Sequence, residues 1–136
     1  MRVRDLMTPD PITVTPTDSL ETAMSYMVSK RIRELPVLED GVLTGILTER
    51  DVKMALGPDA RRMDLEAIDP RQLDGAVDWF MTPGVETIID TATLGEATAK
   101  LVDLRIGALP VVDEDGGLVG ILSVTDVLKE AARLFD

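Results

Sequence analysis

The chain has 136 residues, of which 45% are hydrophobic and 29% charged, and it carries a formal net charge of -11 at pH 7. This length predicts one compact domain, or two half-sized units that share a core, and the scarcity of aromatic residues makes that core aliphatic. Cysteine and histidine are both absent from the sequence, which excludes disulfides, thiolate chemistry, a Ser-His-Asp triad and Cys-ligated metal sites, while the negative charge opposes nucleic-acid binding.

Hydrophobic segments are too short for a membrane protein. No apolar run approaches the roughly 20 residues that span a bilayer, and the first residues lack the basic-then-apolar pattern of a signal peptide. We therefore expect a cytoplasmic protein with neither a membrane nor a nucleic acid among its partners.

The sequence contains an internal repeat. Residues 3–52 return as residues 77–127, at an offset of about 74 positions that grows by one at an acidic turn. We predict a first repeat at residues 1–57, a linker at 58–75 and a second repeat at 76–136. The shared motifs are Met-Thr-Pro at 7–9 and 81–83, Leu-Pro-Val at 35–37 and 109–111, Gly-Ile-Leu at 45–47 and 120–122, and Asp-Val at 51–52 and 126–127.

Both repeats predict the same elements in the same order. In the first, an extended stretch at 12–15 precedes a helix that begins after Asp18 or Ser19 and runs to about residue 30. Strands follow at 35–38 and 42–47, joined at an Asp-Gly turn, and a last helix begins near Thr48. The second repeat gives an extended stretch at 86–89, a helix to 104 whose capping box pairs Thr93 with Glu96, strands at 109–112 and 118–122, and a helix from Ser123. The order is β-α-β-β-α, twice.

The junction between the last strand and the last helix of each repeat places a hydroxyl three residues before a carboxylate. Thr48 and Asp51 occupy these positions in the first repeat, and Ser123 and Asp126 in the second. One interpretation is an N-cap, in which the hydroxyl accepts a helical N–H and the carboxylate lies at the positive end of the helix dipole. The other is a ligand site, in which the hydroxyl and helix start hold a phosphate and the carboxylate accepts from ribose. Both can hold at once.

Arginines near the first junction favour the ligand interpretation. Arg31, Arg33 and Arg50 could gather around a phosphate in a chain that is otherwise strongly negative. The alternative is that they are solvated charges paired with Glu34 or Glu49.

The second repeat offers a phosphate fewer partners. It keeps Arg105, but Gly107 and Thr125 stand where the first repeat has Arg33 and Arg50. A ligand bound there would find less positive charge.

Several other residues have both a structural and a functional interpretation. The tract at residues 113–117 fits a hairpin turn better than a calcium loop, so we predict no metal site. Trp79 and Phe80 favour packing against the pair or a second chain over substrate stacking. A set of apolar residues is predicted to be mainly core, with a minority lining a slot for a flat base: Ile12, Val14, Ile32, Pro36, Val85, Ile88, Ile106 and Pro110.

Taken together, the two copies of M-T-P, a capped helix, L-P-V with an acidic turn and G-I-L-T/S-x-x-D resemble a tandem pair of cystathionine-β-synthase (CBS) domains, a Bateman module. The resemblance covers nearly the whole chain. It implies an α/β (α+β) fold of two β-α-β-β-α units packed sheet to sheet about a pseudo-twofold axis, with clefts between them. It also implies a homodimer, because modules of this family often pair into disc-like dimers.

The resemblance further implies a ligand site for an adenosine compound: AMP, ADP, ATP or S-adenosylmethionine. It requires no cofactor, and the residues leave open whether magnesium accompanies the ligand. Thr48, Asp51, Ser123 and Asp126 would contact phosphate and ribose. The strand residues Thr13 and Thr87, together with the segments before each L-P-V, would line the base and phosphate. The full predicted set is Thr13, Arg31, Arg33, Pro36, Thr48, Arg50, Asp51, Thr87, Ile106, Pro110, Ser123 and Asp126.

Two functional hypotheses follow, from different classes of protein. In the first, an adenosine compound in the cleft shifts the packing of the repeats and an unidentified regulated protein responds to that shift. In the second, the chain is a dimerisation or docking scaffold whose clefts have decayed and whose Thr and Asp residues only cap helices. An enzyme would need a general base or a metal site, and we can assemble neither from these residues.

Overall fold

A computed structural model of the protein describes residues 1–57 and 65–135. Short 3₁₀ turns lie at Leu65–Ala67 and Val77–Trp79. The mixed α/β class, the predicted helices and the predicted strand pair of each repeat are confirmed; of the two predicted extended stretches, 86–89 contains a strand and 12–15 only a bridge at Val14. In chain order the helices and strands are α1 (Val3–Leu6), β1 (Thr8–Pro9), α2 (Leu20–Ser29), β2 (Glu34–Glu39), β3 (Val42–Thr48), α3 (Glu49–Leu56), α4 (Pro70–Leu73), β4 (Thr82–Pro83), β5 (Ile88–Ile89), α5 (Leu94–Leu104), β6 (Ala108–Val112), β7 (Leu118–Ser123) and α6 (Val124–Leu134).

The chain divides into two compact units. One is Ile12–Val85, called here the Thr48 unit, and the other combines Met1–Pro11 with Glu86–Asp136, called the Ser123 unit. The segment that carries Met-Thr-Pro at the start of each repeat therefore belongs to the unit built from the other repeat.

In the Thr48 unit a three-stranded sheet is formed in the order β2-β3-β4. Strands β2 and β3 are antiparallel, with Leu35 opposite Leu47, and β4 pairs antiparallel with β3. The predicted extended stretch at 12–15 joins this sheet through one parallel bridge, between Val14 and Val37. The Asp40-Gly41 turn between β2 and β3 has positive φ at both residues, +50° and +80°, as the primed two-residue turns that match strand twist require.

Helix α2 covers this sheet and supplies much of its core. Ser19 is its N-cap and accepts the N–H of Thr22 at 3.1 Å, which replaces a hydrogen bond that the first turn cannot make internally. Leu20, Met24 and Met27 recur at helical spacing on its buried face. The predicted helix start after Ser19 is confirmed.

The later part of the predicted linker contributes to the same core. Residues 58–64 lie outside the described ranges, but Ile68 and Leu73 are only 5% and 7% exposed and pack in the cluster with Leu35 and Leu47. Asp69 caps the short helix α4, whose first residue is Pro70, a position where proline costs no hydrogen bond.

In the Ser123 unit a four-stranded sheet is formed in the order β1-β7-β6-β5. Strand β5 runs parallel to β6, and the other pairs are antiparallel. Helix α1 anchors the beginning of the chain to this unit: the N–H of Val3 donates to the carbonyl of Ala92 at 2.9 Å, and the Val3 side chain is fully buried.

The acidic turn of the second repeat is closed by its own first residue. Asp113 Oδ1 accepts the N–H of Asp115 at 3.0 Å and that of Gly117 at 2.9 Å, and Gly116 has φ of +86°. These bonds hold a hairpin turn, as predicted.

Within the described ranges, none of the helices has the length and apolar character that crossing a bilayer requires.

Candidate functional site

The junction between β3 and α3 forms a capping box. Thr48 has extended backbone angles, φ −108° and ψ 157°, and its hydroxyl accepts the N–H of Asp51 at 3.0 Å. In return, Asp51 Oδ2 accepts the N–H of Thr48 at 3.0 Å. The reciprocal pair satisfies two backbone donors that the helix start leaves open and places a negative charge at its positive end.

The junction between β7 and α6 repeats this geometry. Ser123 Oγ accepts the N–H of Asp126 at 3.1 Å, and Asp126 Oδ2 accepts the N–H of Ser123 at 2.9 Å. A further backbone bond stabilises each junction. The first residue of the helix donates to the residue just before the first strand of the hairpin: Glu49 to the carbonyl of Arg33 before β2, and Val124 to that of Gly107 before β6.

Capping uses only part of the hydrogen-bonding capacity of these side chains. A hydroxyl has one proton and two lone pairs, and an ionised carboxylate about four acceptor positions. One lone pair of each hydroxyl and one position of each carboxylate are occupied by the capping bonds. All four residues are half-buried, and the capping bonds alone leave further donor and acceptor positions on each side chain. The capping and the ligand interpretations are therefore compatible.

A further hydroxyl, missed in the sequence prediction, contacts Asp51. Thr82 of β4 donates to Asp51 with distances of 3.2 Å to Oδ1 and 3.4 Å to Oδ2. The Met-Thr-Pro motif was recognised as part of the repeat, but its role could not be derived because strand β4 is only two residues long and carries no periodic pattern.

Glycine allows each Met-Thr-Pro strand to lie against its partner strand. A Cβ atom on Gly45 would stand 2.7 Å from Met81 Sδ and 2.9 Å from the Thr82 carbonyl. A Cβ on Gly120 would meet Met7 Sδ at 2.5 Å and the Thr8 carbonyl at 2.9 Å. All four distances are shorter than van der Waals contact, so a side chain at either position would overlap its neighbours and only glycine fits.

Two of the predicted cationic positions have an unusual backbone. Arg31 and Arg105 both have φ of +54°, in the left-handed region that usually holds glycine after a helix. The turn is closed by the next residue, since Ile32 donates to the carbonyl of Met27 at 3.1 Å and Ile106 to that of Leu101 at 3.2 Å. Packing of the two isoleucines against their cores holds the turn in place.

The arginines of the first repeat point into solvent. Arg31, Arg33 and Arg50 are exposed, and within the described ranges none of them forms an ion pair. Glu49, one of the acidic partners considered for them, instead pairs with Lys53 one turn along α3. These cations remain available to an anion.

Thr13 and Thr87, the predicted base-lining threonines, are both half-buried. The carbonyl of Thr87 accepts a hydrogen bond from Lys100 Nζ at 2.6 Å, and the same ammonium lies 3.2 Å from Glu86 Oε2. Lys100 thereby fixes the segment before β5 that carries Thr87, a role the sequence prediction missed.

The apolar members of the predicted site belong mainly to the core. Pro36 in β2 and Pro110 in β6 are buried, and half-buried Ile106 packs against the core of the Ser123 unit. Their contact with a ligand stays a prediction.

Charged groups elsewhere serve structure. Arg71 donates to Asp69 and lowers the pKa of that carboxyl, and Arg133 donates to Glu130 and lowers its pKa in the same way. Both are ion pairs on helix surfaces. Among the described residues, no cluster of three or more acidic side chains is arranged to hold a metal ion.

Comparison with known proteins identifies the family to which the chain belongs. Residues 3–58 and 76–133 each match the family model of the CBS domain. The chain therefore belongs to the CBS domain family and contains two copies in tandem, as the resemblance indicated.

Individual relatives cover the same pair. The chain is 34% identical over 131 residues to the uncharacterized protein MJ1225 of Methanocaldococcus jannaschii, a match covering 93% of this chain and 46% of that protein. It is 28% identical to the chloroplastic CBS domain-containing protein CBSX2 of Arabidopsis thaliana, covering 97% and 64%. The chain thus spans about half to two thirds of the length of these relatives.

Solved structures share the fold. The crystal structure of CBSX2 in complex with AMP matches with a TM-score of 0.78 and 30% identity, covering 99% of this chain and 98% of that one. The CBS domain pair of protein MJ0100, in complex with 5′-methylthioadenosine and S-adenosyl-L-methionine, matches with a TM-score of 0.82 at 24% identity and 98% coverage of both chains. At that identity, the second match establishes the fold alone.

Proposed function

We propose that this chain is a regulatory module that binds an adenosine compound at its T/S-x-x-D junctions and signals to a partner protein by a change of conformation. The observation that carries the proposal is the doubled capping box, whose hydroxyls and carboxylates are half-buried and keep unused hydrogen-bonding positions. The AMP complex of CBSX2, a relative of the same fold, supports an adenine nucleotide as the ligand.

Each side chain at a junction has a distinct part in this proposal. The proton of the Thr48 or Ser123 hydroxyl donates to a phosphate oxygen, which also gains from the positive end of the helix dipole. Asp51 or Asp126 accepts from the ribose hydroxyls. Around the Thr48 unit, the exposed guanidinium groups of Arg31, Arg33 and Arg50 neutralise phosphate.

Signalling by such a module needs no chemical step. A ligand shifts a conformational equilibrium only by its difference in affinity for the two states. Binding at a junction stiffens the strand-to-helix corner, and a partner that contacts the chain detects the change. A cytoplasmic location, an unidentified regulated protein and the absence of a required cofactor stay predictions.

The scaffold alternative is favoured by one observation. All four junction side chains already make the reciprocal bonds of a capping box, and such a box stabilises a helix without any ligand. The two functions differ in whether a ligand binds.

Isothermal titration of the whole chain separates them. AMP, ADP, ATP and S-adenosylmethionine are titrated with and without magnesium, and GMP serves as the control for base recognition. We expect saturable binding of at least one adenosine compound and weaker binding of GMP. Absence of heat from all four compounds, with the protein folded by circular dichroism, would exclude the ligand-binding function and leave the scaffold.

We also propose that the chain forms a homodimer through one face of the Ser123 unit. Helices α5 and α6 border a groove of about 170 Å³, and Val102 and Leu128 beside it are 68% and 61% exposed. An uncharged face lets two copies of a chain with net charge -11 approach with the least repulsion. The groove is lined by Thr98, Leu101, Val102, Val124, Val127 and Leu128.

The corresponding positions of the first repeat support this choice of face. Where the second repeat has Val124 and Leu128, the first has the ion pair of Glu49 and Lys53. We expect sedimentation equilibrium to give a dimer for the parent chain and a monomer for Leu128→Glu. Met54→Glu, which replaces a side chain on α3 of the Thr48 unit that is 75% exposed against 61% for Leu128, is the matched control and should remain dimeric.

A further inference from the structure

The two Met-Thr-Pro strands hold equivalent positions but make different contacts. Thr82 lies opposite Ile46 in the Thr48 unit, and Thr8 lies opposite Ile121 in the Ser123 unit. Thr82 donates to the carboxylate of Asp51 at 3.2 Å. Within the described ranges Thr8 makes no hydrogen bond to Asp126, whose described bonds are those of the capping box.

The extra bond fixes the orientation of the Asp51 carboxylate. With only the Thr48 N–H as donor, the carboxylate is held through Oδ2 and can still rotate about its terminal torsion, which is broad for aspartate. Thr82 adds a donor from a second element, at 3.2 Å from Oδ1. A carboxylate held through both oxygens presents its remaining acceptor positions in one direction.

Fixing this group in advance should favour a ligand that donates to it. An acceptor already held in its bound orientation loses less freedom when the ligand arrives, and hydrogen bonds to a charged group are stronger than those between neutral groups.

We infer that Thr82 is a positioning residue that makes the Thr48 junction more selective than the Ser123 junction for a vicinal diol, the 2′,3′-dihydroxy edge of a ribonucleoside. The inference rests on the proposed function. It predicts that the two junctions differ in how strongly they prefer a ribose ligand over one whose sugar lacks hydroxyls. Thr82 acts through Asp51 and does not itself contact the ligand.

The test compares AMP with 2′,3′-dideoxy-AMP, which cannot donate from the sugar edge. Both are titrated into the whole chain while NMR follows the backbone amides of residues 51 and 126 separately. The variants are Thr82→Val, which keeps the branched shape and removes the hydroxyl, and Thr82→Ser, which restores it. Thr8→Val is the matched control in the other Met-Thr-Pro strand.

In the parent chain we expect AMP to bind at the residue 51 junction roughly tenfold more tightly than the dideoxy analogue, the size of one charge-assisted hydrogen bond. Thr82→Val should lose most of that ratio by weakening AMP alone, Thr82→Ser should restore it, and Thr8→Val should leave both junctions unchanged.

Three results would overturn the inference. Thr82→Val could weaken both nucleotides equally, it could leave the ratio intact, or Thr8→Val could lower the ratio at residue 126 as strongly as Thr82→Val does at residue 51. If neither nucleotide binds to the parent chain, the proposed function itself fails, and that outcome is distinct from the other three.

Discussion

At the scale of single residues, Asp51 and Asp126 combine a structural and a proposed functional role. Each accepts the N–H of its N-cap residue and so completes a capping box. A side-chain cap contributes about 1 kcal/mol to stability, enough to explain the residue type without any ligand. The functional role must therefore be tested by comparing an Asp51 variant with a control variant that loses a similar cap elsewhere in the chain.

Asp51→Ala and Asp69→Ala form such a pair. Asp69 is the N-cap of α4 and accepts the N–H of Arg71 at 2.9 Å, so both substitutions remove a capping carboxylate from the Thr48 unit. We expect each to lower the free energy of unfolding in urea titrations, because each removes a side-chain cap from a helix start. Only Asp51→Ala should lose AMP binding at its junction; equal affinities for AMP in the two variants would leave Asp51 a cap and nothing more.

Arg31 shows a conflict between stability and the proposed binding of phosphate. Its φ of +54° costs a residue with a Cβ about 1 kcal/mol, whereas glycine adopts it freely. Arg31→Gly should therefore raise the free energy of unfolding by up to about 1 kcal/mol and still weaken AMP binding, by more at low salt than at high salt. Arg33→Gly removes a cation at a position without positive φ and should lower both quantities. A gain in AMP affinity for Arg31→Gly would contradict the assigned role.

At the scale of elements, a two-residue strand contributes to the candidate site, because β4 supplies Thr82, which donates to Asp51. Strands β1 and β4 have two residues each, too few to be stable without close packing against their neighbours. Gly45 and Gly120 make that packing possible because they leave room for a methionine side chain and a threonine carbonyl. The hydrogen bond from Thr82 to Asp51 depends on this close approach.

Gly45→Ala tests the dependence. The new methyl group would overlap the Thr82 carbonyl, and we expect the free energy of unfolding to fall by about 1–3 kcal/mol as β4 shifts. Gly95→Ala is the control, since a Cβ there meets only Thr93 Oγ1 at 3.9 Å and helix propensity favours alanine by up to about 1 kcal/mol. Thermal unfolding of both variants measures the difference, and we expect a lower Tm for Gly45→Ala only. An unchanged Tm for Gly45→Ala would show that the strand can move without loss of stability.

The elements also show where sequence reasoning succeeds. The long helices α2 and α5 and the strand pair β6-β7 carry clear apolar periodicity and marked caps, and their predicted positions are confirmed. Helix α1 and strands β1 and β4 were not predicted, because segments of two to four residues cannot show a period. The left-handed backbone of Arg31 was equally hidden, since arginine gives no signal for positive φ.

At the scale of the whole molecule, the compact units differ from the sequence repeats. The Thr48 unit ends with β4, and its core includes fully buried Val77, which the repeat pattern assigns to the second copy. The sequence predicts two similar copies, but pairing between a two-residue strand and a distant partner depends on tertiary contacts that no local pattern encodes. The same limit hid Thr82 from the predicted site.

Fragments of nearly equal length test this division. Residues 12–85 contain the whole Thr48 unit, whereas residues 1–75 contain the first repeat and the predicted linker but lack Val77 and β4. We expect cooperative urea unfolding for the fragment 12–85 and a broad or absent transition for 1–75, because a small unit cannot lose part of its core. The reverse order of stability would contradict the assignment of the Met-Thr-Pro segment to the Thr48 unit.

The central claim, that the paired T/S-x-x-D junctions bind an adenosine compound, is tested most directly by a crystal structure of the chain grown with AMP. We predict electron density for the nucleotide with a ribose hydroxyl within hydrogen-bond distance of the Asp51 or Asp126 carboxylate and a phosphate oxygen near Thr48 or Ser123. AMP bound elsewhere, or no density at saturating nucleotide with both capping boxes unchanged, would contradict it.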